Sequence, residues 1–159
     1  MAKAETKQYN SSNSDEYMTF IVGSMRYAIE LASIREVLTY PKLITILPGT
    51  SQWIKGLINL RGEVVPILDI RIKFTNSEAV YNEETIVIAV VTEDKRMIGL
   101  VVDKIEDVKK IDSTLLYPVS DMGSTIPPKY LKGFAKLENN EMLVIMNIDV
   151  ITHKDELKD

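Results

Sequence analysis

Cysteine is absent from this chain of 159 residues, and histidine occurs once. Without cysteine there are no disulfides, no thiolate nucleophiles and no cysteine metal sites. The single histidine, His153, stands near the end in the polar run Thr152-His153-Lys154-Asp155. A zinc site built from histidines is therefore excluded, and a Ser-His-Asp triad would have to recruit a tail residue. The 7 glycines form neither a G-x-G-x-x-G nor a Walker pattern, so nucleotide binding has no support. No segment approaches the roughly 18 apolar residues of a membrane span. Residues 1–15 are polar and lack the apolar stretch of a signal peptide, so they read as a flexible arm on a cytoplasmic protein. Neither sign of charge dominates: 19 basic and 23 acidic residues leave −4, which argues against coating nucleic acid by bulk charge. These absences point away from an enzyme, and to a protein with no cofactor, no metal, no nucleic-acid partner and no direct membrane insertion.

What is present is mostly β in texture. Tyr17-Met18-Thr19-Phe20-Ile21-Val22 reads as a strand, Gly23-Ser24 as a tight turn, and Arg26 to Leu31 as an alternating strand. Ser33 followed three residues later by Glu36 has the spacing of a capping box, which predicts a short helix over 34–38. The run from Glu63 to Ile70 reads as a strand carrying Pro66, hence an edge or a bulge. Asp69 beside Arg71 has the look of a catalytic carboxylate, but no partner acid or base stands at a recognisable spacing.

The second half repeats the first. At an offset of 71, Ile29 meets Leu100, Leu31 meets Val102, Ile34 meets Ile105 and Val37 meets Val108. Trp53-Ile54-Lys55-Gly56-Leu57 matches Tyr130-Leu131-Lys132-Gly133-Phe134 at 77, and Ile67-Leu68-Asp69-Ile70 matches Ile145-Met146-Asn147-Ile148 at 78. Such a tandem of short strands predicts a mainly β fold of two small five-stranded barrels sharing a packed interface. Subdomain one is expected over about 16–82 and subdomain two over about 83–148, within one domain at 16–152. Residues 149–159 are then a tail or a short helix.

Asn59-Leu60-Arg61-Gly62 is a turn between two apolar strands: Gly62 supplies positive φ and Asn59 bonds its own backbone. Arg61 on such a turn either presents a fixed guanidinium fork to a carboxylate or helix end, or simply points at water. The run from Trp53 to Arg71, with Tyr130-Leu131-Lys132-Gly133 and Ile34-Arg35-Glu36-Val37, resembles the CheW family. These are the adaptors of bacterial chemotaxis. The resemblance covers roughly residues 15 to 152 and implies two SH3-like barrels. It further implies a scaffold that couples the cytoplasmic hairpin tips of methyl-accepting chemoreceptors to the regulatory domain of the histidine kinase CheA. Recruitment to membrane-associated receptor arrays, and self-association in array rings, belong to the same expectation.

Carried over position by position, the resemblance places receptor contacts at Ile34, Glu36, Gly56, Asn59, Arg61, Val102 and Val108, in a groove between the barrels. Gly56 would keep the backbone low enough for a helix to approach. Ile34, Val102 and Val108 are equally readable as core, since they stand on alternating apolar faces. Kinase contacts are implied at Tyr40 and Leu43 on the first barrel and at Tyr117 and Met122 on the second. A rival reading is a small β-barrel that binds peptide or RNA, because residues 42 to 73 are locally basic.

Overall fold

The computed structural model describes residues 15–75, 79–119, 126–138 and 140–157. The first strands are β1 (Glu16–Val22), β2 (Met25–Glu30), β3 (Ile34–Thr39), β4 (Ile54–Leu60) and β5 (Glu63–Asp69), followed by the short helix α1 (Ile70–Thr75). Next come β6 (Ile86–Val91), β7 (Met97–Val102), β8 (Lys104–Lys110), β9 (Leu131–Lys136) and β10 (Met142–Met146), then α2 (Ile148–Ile151). They build two five-stranded sheets, ordered β9-β10-β2-β1-β8 and β4-β5-β7-β6-β3. The expected mainly β class and the five strands per unit are both present.

The two orders are equivalent under the sequence repeat, but the units are not consecutive in the chain. The β1–β2 hairpin of the first repeat pairs with β8 and β10 of the second. The β6–β7 hairpin of the second repeat pairs in return with β3 and β5 of the first. The repeats have exchanged hairpins, so a division at 82/83 cuts across both sheets. Each crossing is short: a 3-10 turn at Leu31–Ser33 after β2, and Asp103 alone between β7 and β8.

Burial follows from this exchange. Leu68, Ile88 and Leu100 of one sheet meet Phe20, Tyr27, Val144 and Met146 of the other in a shared core. Residues of opposite parity form a separate cluster within each sheet. Ala28, Leu143 and Ile145 lie in one such cluster, and Ile67, Val87 and Val101 in the other. Both faces of the central strands are thus buried, which is why they read as continuous apolar runs.

Each sheet also draws its edges together. After β3 the chain returns to β4 through a bridge at Thr45 and Leu57, and after β8 it returns to β9 through one at Tyr117 and Phe134. The aligned Lys-Gly pairs are explained here. Lys55 and Lys132 sit at register shifts, and the glycine after each lies under the returning segment. A Cβ on Gly56 (φ +141°) would stand 2.3 Å from the Thr45 carbonyl oxygen, and one on Gly133 2.8 Å from that of Tyr117.

Two local expectations need correction. Residues 34–38 are strand β3, with Ile34, Glu36 and Leu38 half-buried while Arg35, Val37 and Thr39 face outward. That period of two and the ladder with β6 override the capping-box spacing. Strand β5 is interior, yet its parallel ladder with β7 begins only at Ile67. At Pro66 the strand is therefore paired on the β4 side alone, which is what tolerates the missing N–H.

Candidate partner-binding site

The hairpin β4–β5 closes through two residues, and both are left-handed: Arg61 at φ +53° and Gly62 at +89°. A two-residue turn of this kind needs positive φ at both central positions and prefers Asn-Gly or Gly-Gly there. Asn59 completes it, its Oδ1 accepting from the Gly62 N–H at 2.9 Å, as its sequence position implied. The Arg61 side chain lies across to β3, donating from Nε to Glu36 Oε1 at 2.9 Å and from Nη2 to Oε2 at 3.3 Å. This fork holds the Glu36 carboxyl below its ordinary pKa through the hydrogen bond. Beside it lies a cavity of about 320 Å³ lined by Arg35, Glu36, Leu60, Arg61, Glu63 and Met97.

Glu36, Asn59 and Arg61 are therefore brought together, and the other expected receptor positions are not. Val102 is fully buried in the shared core and presents nothing to a partner. Gly56 is buried under Ile44 and Thr45, so its lack of a side chain serves the chain's own closure rather than an incoming helix. Ile34 packs against the shared core. Val108 is exposed, but on β8 of the opposite sheet and outside the Arg61 cavity.

Of the residues expected to meet the kinase, Tyr40, Leu43 and Tyr117 fall on the returning segments. Leu43 is 88% exposed, and its repeat equivalent 72 positions on, Leu115, is 71% exposed. Tyr117 is half-exposed and stacks on Phe134 with ring centroids 5.1 Å apart. It lines a groove of about 1210 Å³, with Leu115, Lys109, Lys110, Lys136 and Leu137 among its walls. Tyr40 is half-buried against Tyr81, and its backbone N–H donates to Thr85. Met122 lies outside the described residues.

Sequence reasoning missed what Asp69 and Arg71 do. Asp69 is fully buried and accepts both fork bonds, from Arg71 Nε at 3.0 Å and Nη2 at 2.9 Å. The Tyr81 hydroxyl donates to the same carboxylate. Arg71 Nη1 reaches Asp103 at the β7–β8 crossing, and Asp103 in turn accepts from the Gly23 N–H of the β1–β2 turn. Burial alone would lower the Arg71 pKa, and the bonds to Asp69 and Asp103 raise it instead. Burial, then the Asp69 carboxylate, raises that of Tyr81. The pair is a buried strut that ties the end of β5, through Asp103 and Gly23, to the other sheet. Its signal in the sequence is the Asp-x-Arg spacing where an apolar strand turns into a helix.

Among the described residues, no cluster of three metal-ligating side chains occurs and no helix is long and apolar enough to cross a membrane. Residues 16–156 match the CheW-like domain family. The chain is 32% identical over 142 residues to the chemotaxis protein CheW of Klebsiella aerogenes, covering 89% of this chain and 84% of that one. It is 29% identical over 154 residues to that of Helicobacter pylori, covering 97% and 91%. The crystal structure of the scaffolding protein TtCheW from Thermoanaerobacter tengcongensis superimposes with a TM-score of 0.75 at 25% identity, covering 92% of this chain and 91% of that one. With its paired five-stranded sheets and the signature turn at Asn59 to Gly62, the chain belongs to the CheW-like domain family.

Proposed function

We propose that this protein is a chemotaxis scaffold that binds a chemoreceptor hairpin tip and the CheA regulatory domain non-covalently, and holds them in fixed relative positions within membrane-associated arrays. Family membership supports the class of function. The observation that carries the receptor half is Arg61. A non-glycine residue in the left-handed region is strained, and here a glycine or asparagine would serve the turn better. Its side chain remains largely exposed although Glu36 anchors it. An exposed ion pair contributes little to stability. The arginine therefore suits a contact outside the chain, anchored by Glu36 beside a cavity lined by Arg35, Glu63, Leu60 and Met97. The exposed leucines on the two returning segments suit the kinase half, since they offer apolar contact without disturbing a core.

The test is a pair of titrations with purified protein, one against a receptor cytoplasmic hairpin and one against a CheA regulatory domain. Both should saturate. Arg61→Ala should weaken receptor binding roughly tenfold or more, as loss of a buried interfacial arginine does, while kinase binding holds. Arg61→Asn should keep or raise the thermal midpoint, because asparagine accepts the left-handed region. Leu43→Ser should weaken kinase binding with the midpoint unchanged. Unaltered receptor affinity in both Arg61 variants would remove the proposed contact, and binding to neither partner would remove the scaffold reading.

A further inference from the structure

Trp53 and Tyr130 are equivalent positions in the two repeats, and they converge on one side chain. Lys73 of α1 places its Nζ 4.1 Å from the Trp53 ring centroid and 5.1 Å from that of Tyr130. Glu156 closes over the same spot. It pairs with Lys73 at 3.4 Å and with Lys129 at 3.0 Å, and it accepts from the Tyr130 hydroxyl. Trp53 and Tyr130 are buried, and the Lys73 and Glu156 side chains are only 15% and 17% exposed. Leu157 packs beside them against the shared core. Among the described residues, the backbone bonds of this last segment are local, from His153 to Val150, Asp155 to the His153 ring, Glu156 to His153 and Leu157 to Lys154. The Glu156 and Leu157 side chains reach the body.

We propose that residues 153–157 form a releasable clasp, in which Glu156 locks the first repeat to the second through Lys73, and whose opening uncovers Trp53 and Tyr130 without unzipping either sheet. Local backbone bonding makes such an opening possible below the free energy of global unfolding. The groups facing Glu156 are Lys73 from α1 and Lys129 and Tyr130 from the turn before β9. His153, Lys154 and Asp155 share its own segment. The Tyr130 hydroxyl first, then Lys129 and Lys73, hold the Glu156 carboxyl down at about 2. A carboxyl depressed in the closed form favours closure above its ordinary value near 4.5 and loses that effect as pH falls through about 2. The clasp is closed at neutral pH and loosens in acid.

Trp53 is the chain's one tryptophan, so it reports the opening by itself. In the full chain at neutral pH, Glu156→Gln should raise acrylamide quenching of Trp53 about twofold and speed amide exchange at 153–157 about tenfold, with exchange in β2 and β10 unchanged. Lys154→Gln should change neither readout. Lys129→Gln, a milder cut, should give both changes at smaller amplitude and keeps the test valid if Glu156→Gln fails to fold. Quenching equal to wild type in a folded Glu156 or Lys129 variant overturns the proposal. So does exchange at 153–157 that accelerates only together with the strands, since the segment would then have no opening of its own.

Discussion

Gly56→Ala is expected to destabilise the protein by ~3 kcal/mol, more than the same change at Gly62 or Gly133. Two effects combine. An L residue at φ +141° is strained in its own backbone, at a cost of about 1–3 kcal/mol. The added Cβ also meets the Thr45 carbonyl oxygen at 2.3 Å and Ile44 Cγ2 at 2.5 Å. Neither neighbour yields easily, because Thr45 and Leu57 are tied by reciprocal backbone bonds of 2.9 Å each. Moving Thr45 breaks the one bridge that brings β3's continuation back to β4. The repeat offers controls. Gly133→Ala meets the Tyr117 carbonyl oxygen at 2.8 Å and should cost less, while Gly62→Ala, with nothing within 4 Å, should cost only the backbone strain. Urea unfolding of the three variants gives the ranking directly. Equal losses at Gly56 and Gly62 would show that backbone strain alone, and not the returning segment, keeps glycine at this bulge. The same variant should also displace Leu43, which lies two residues before Thr45.

The extent to which this could be read from sequence follows from how far each constraint reaches along the chain. The repeat at offsets of 71 and 77 was legible, because Trp53-Ile54-Lys55-Gly56 and Tyr130-Leu131-Lys132-Gly133 obey the same local demands of bulge and close approach. The turn at Asn59 to Gly62 was legible for the same reason. The exchange of hairpins was not. Whether β2 pairs with β10 or with a strand of its own half depends on contacts more than a hundred residues apart, and a single residue, Asp103, makes one of the crossings. No turn signature marks it. The helix expected at 34–38 fails similarly, since a cap at Ser33 adds little beside a full ladder to β6. For the site, residue type was informative at Glu36, Asn59 and Arg61, where polar groups need partners close by. It was ambiguous for valines: Val102 and Val108 both stand on alternating apolar faces, and the fold sends one into the core and the other to the surface.

Asp69→Asn should cost ~3–5 kcal/mol, the range found when one partner of a buried ion pair is removed and the other charge stays behind. The change keeps the side chain's shape but turns one carboxylate oxygen into an NH2 donor, so the loss combines the missing charge with the two bonds that oxygen accepted. Arg71 would remain buried with its guanidinium facing the amide, and its other carboxylate, Asp103, sits at 3.2 Å with a side chain 40% exposed. The single amide oxygen can accept from Tyr81 and Arg71 Nη2 or from the Arg71 backbone N–H and Nε, and the other pair is left facing a donor. Arg71→Met should be comparably damaging, because it strands a fully buried carboxylate whose oxygens take three bonds from this one residue. Of these three only the backbone N–H bond would survive, beside the one from the Tyr81 hydroxyl. The double variant Asp69→Asn with Arg71→Met should then be much less damaging than the sum, since no uncompensated charge is left in the interior. Additive losses would mean that the two side chains act independently and that the strut is not a unit. The further consequence lies at a distance. Asp103 joins Arg71 to the Gly23 N–H, so losing the arginine should loosen the β1–β2 turn, visible as faster amide exchange at Gly23. That turn belongs to the first repeat but sits in the sheet built mostly by the second. The hairpin and helix around β5 therefore do two jobs: at Arg61 the turn leaves a side chain largely exposed, and at Asp69 and Arg71 the other end fastens the exchanged hairpin.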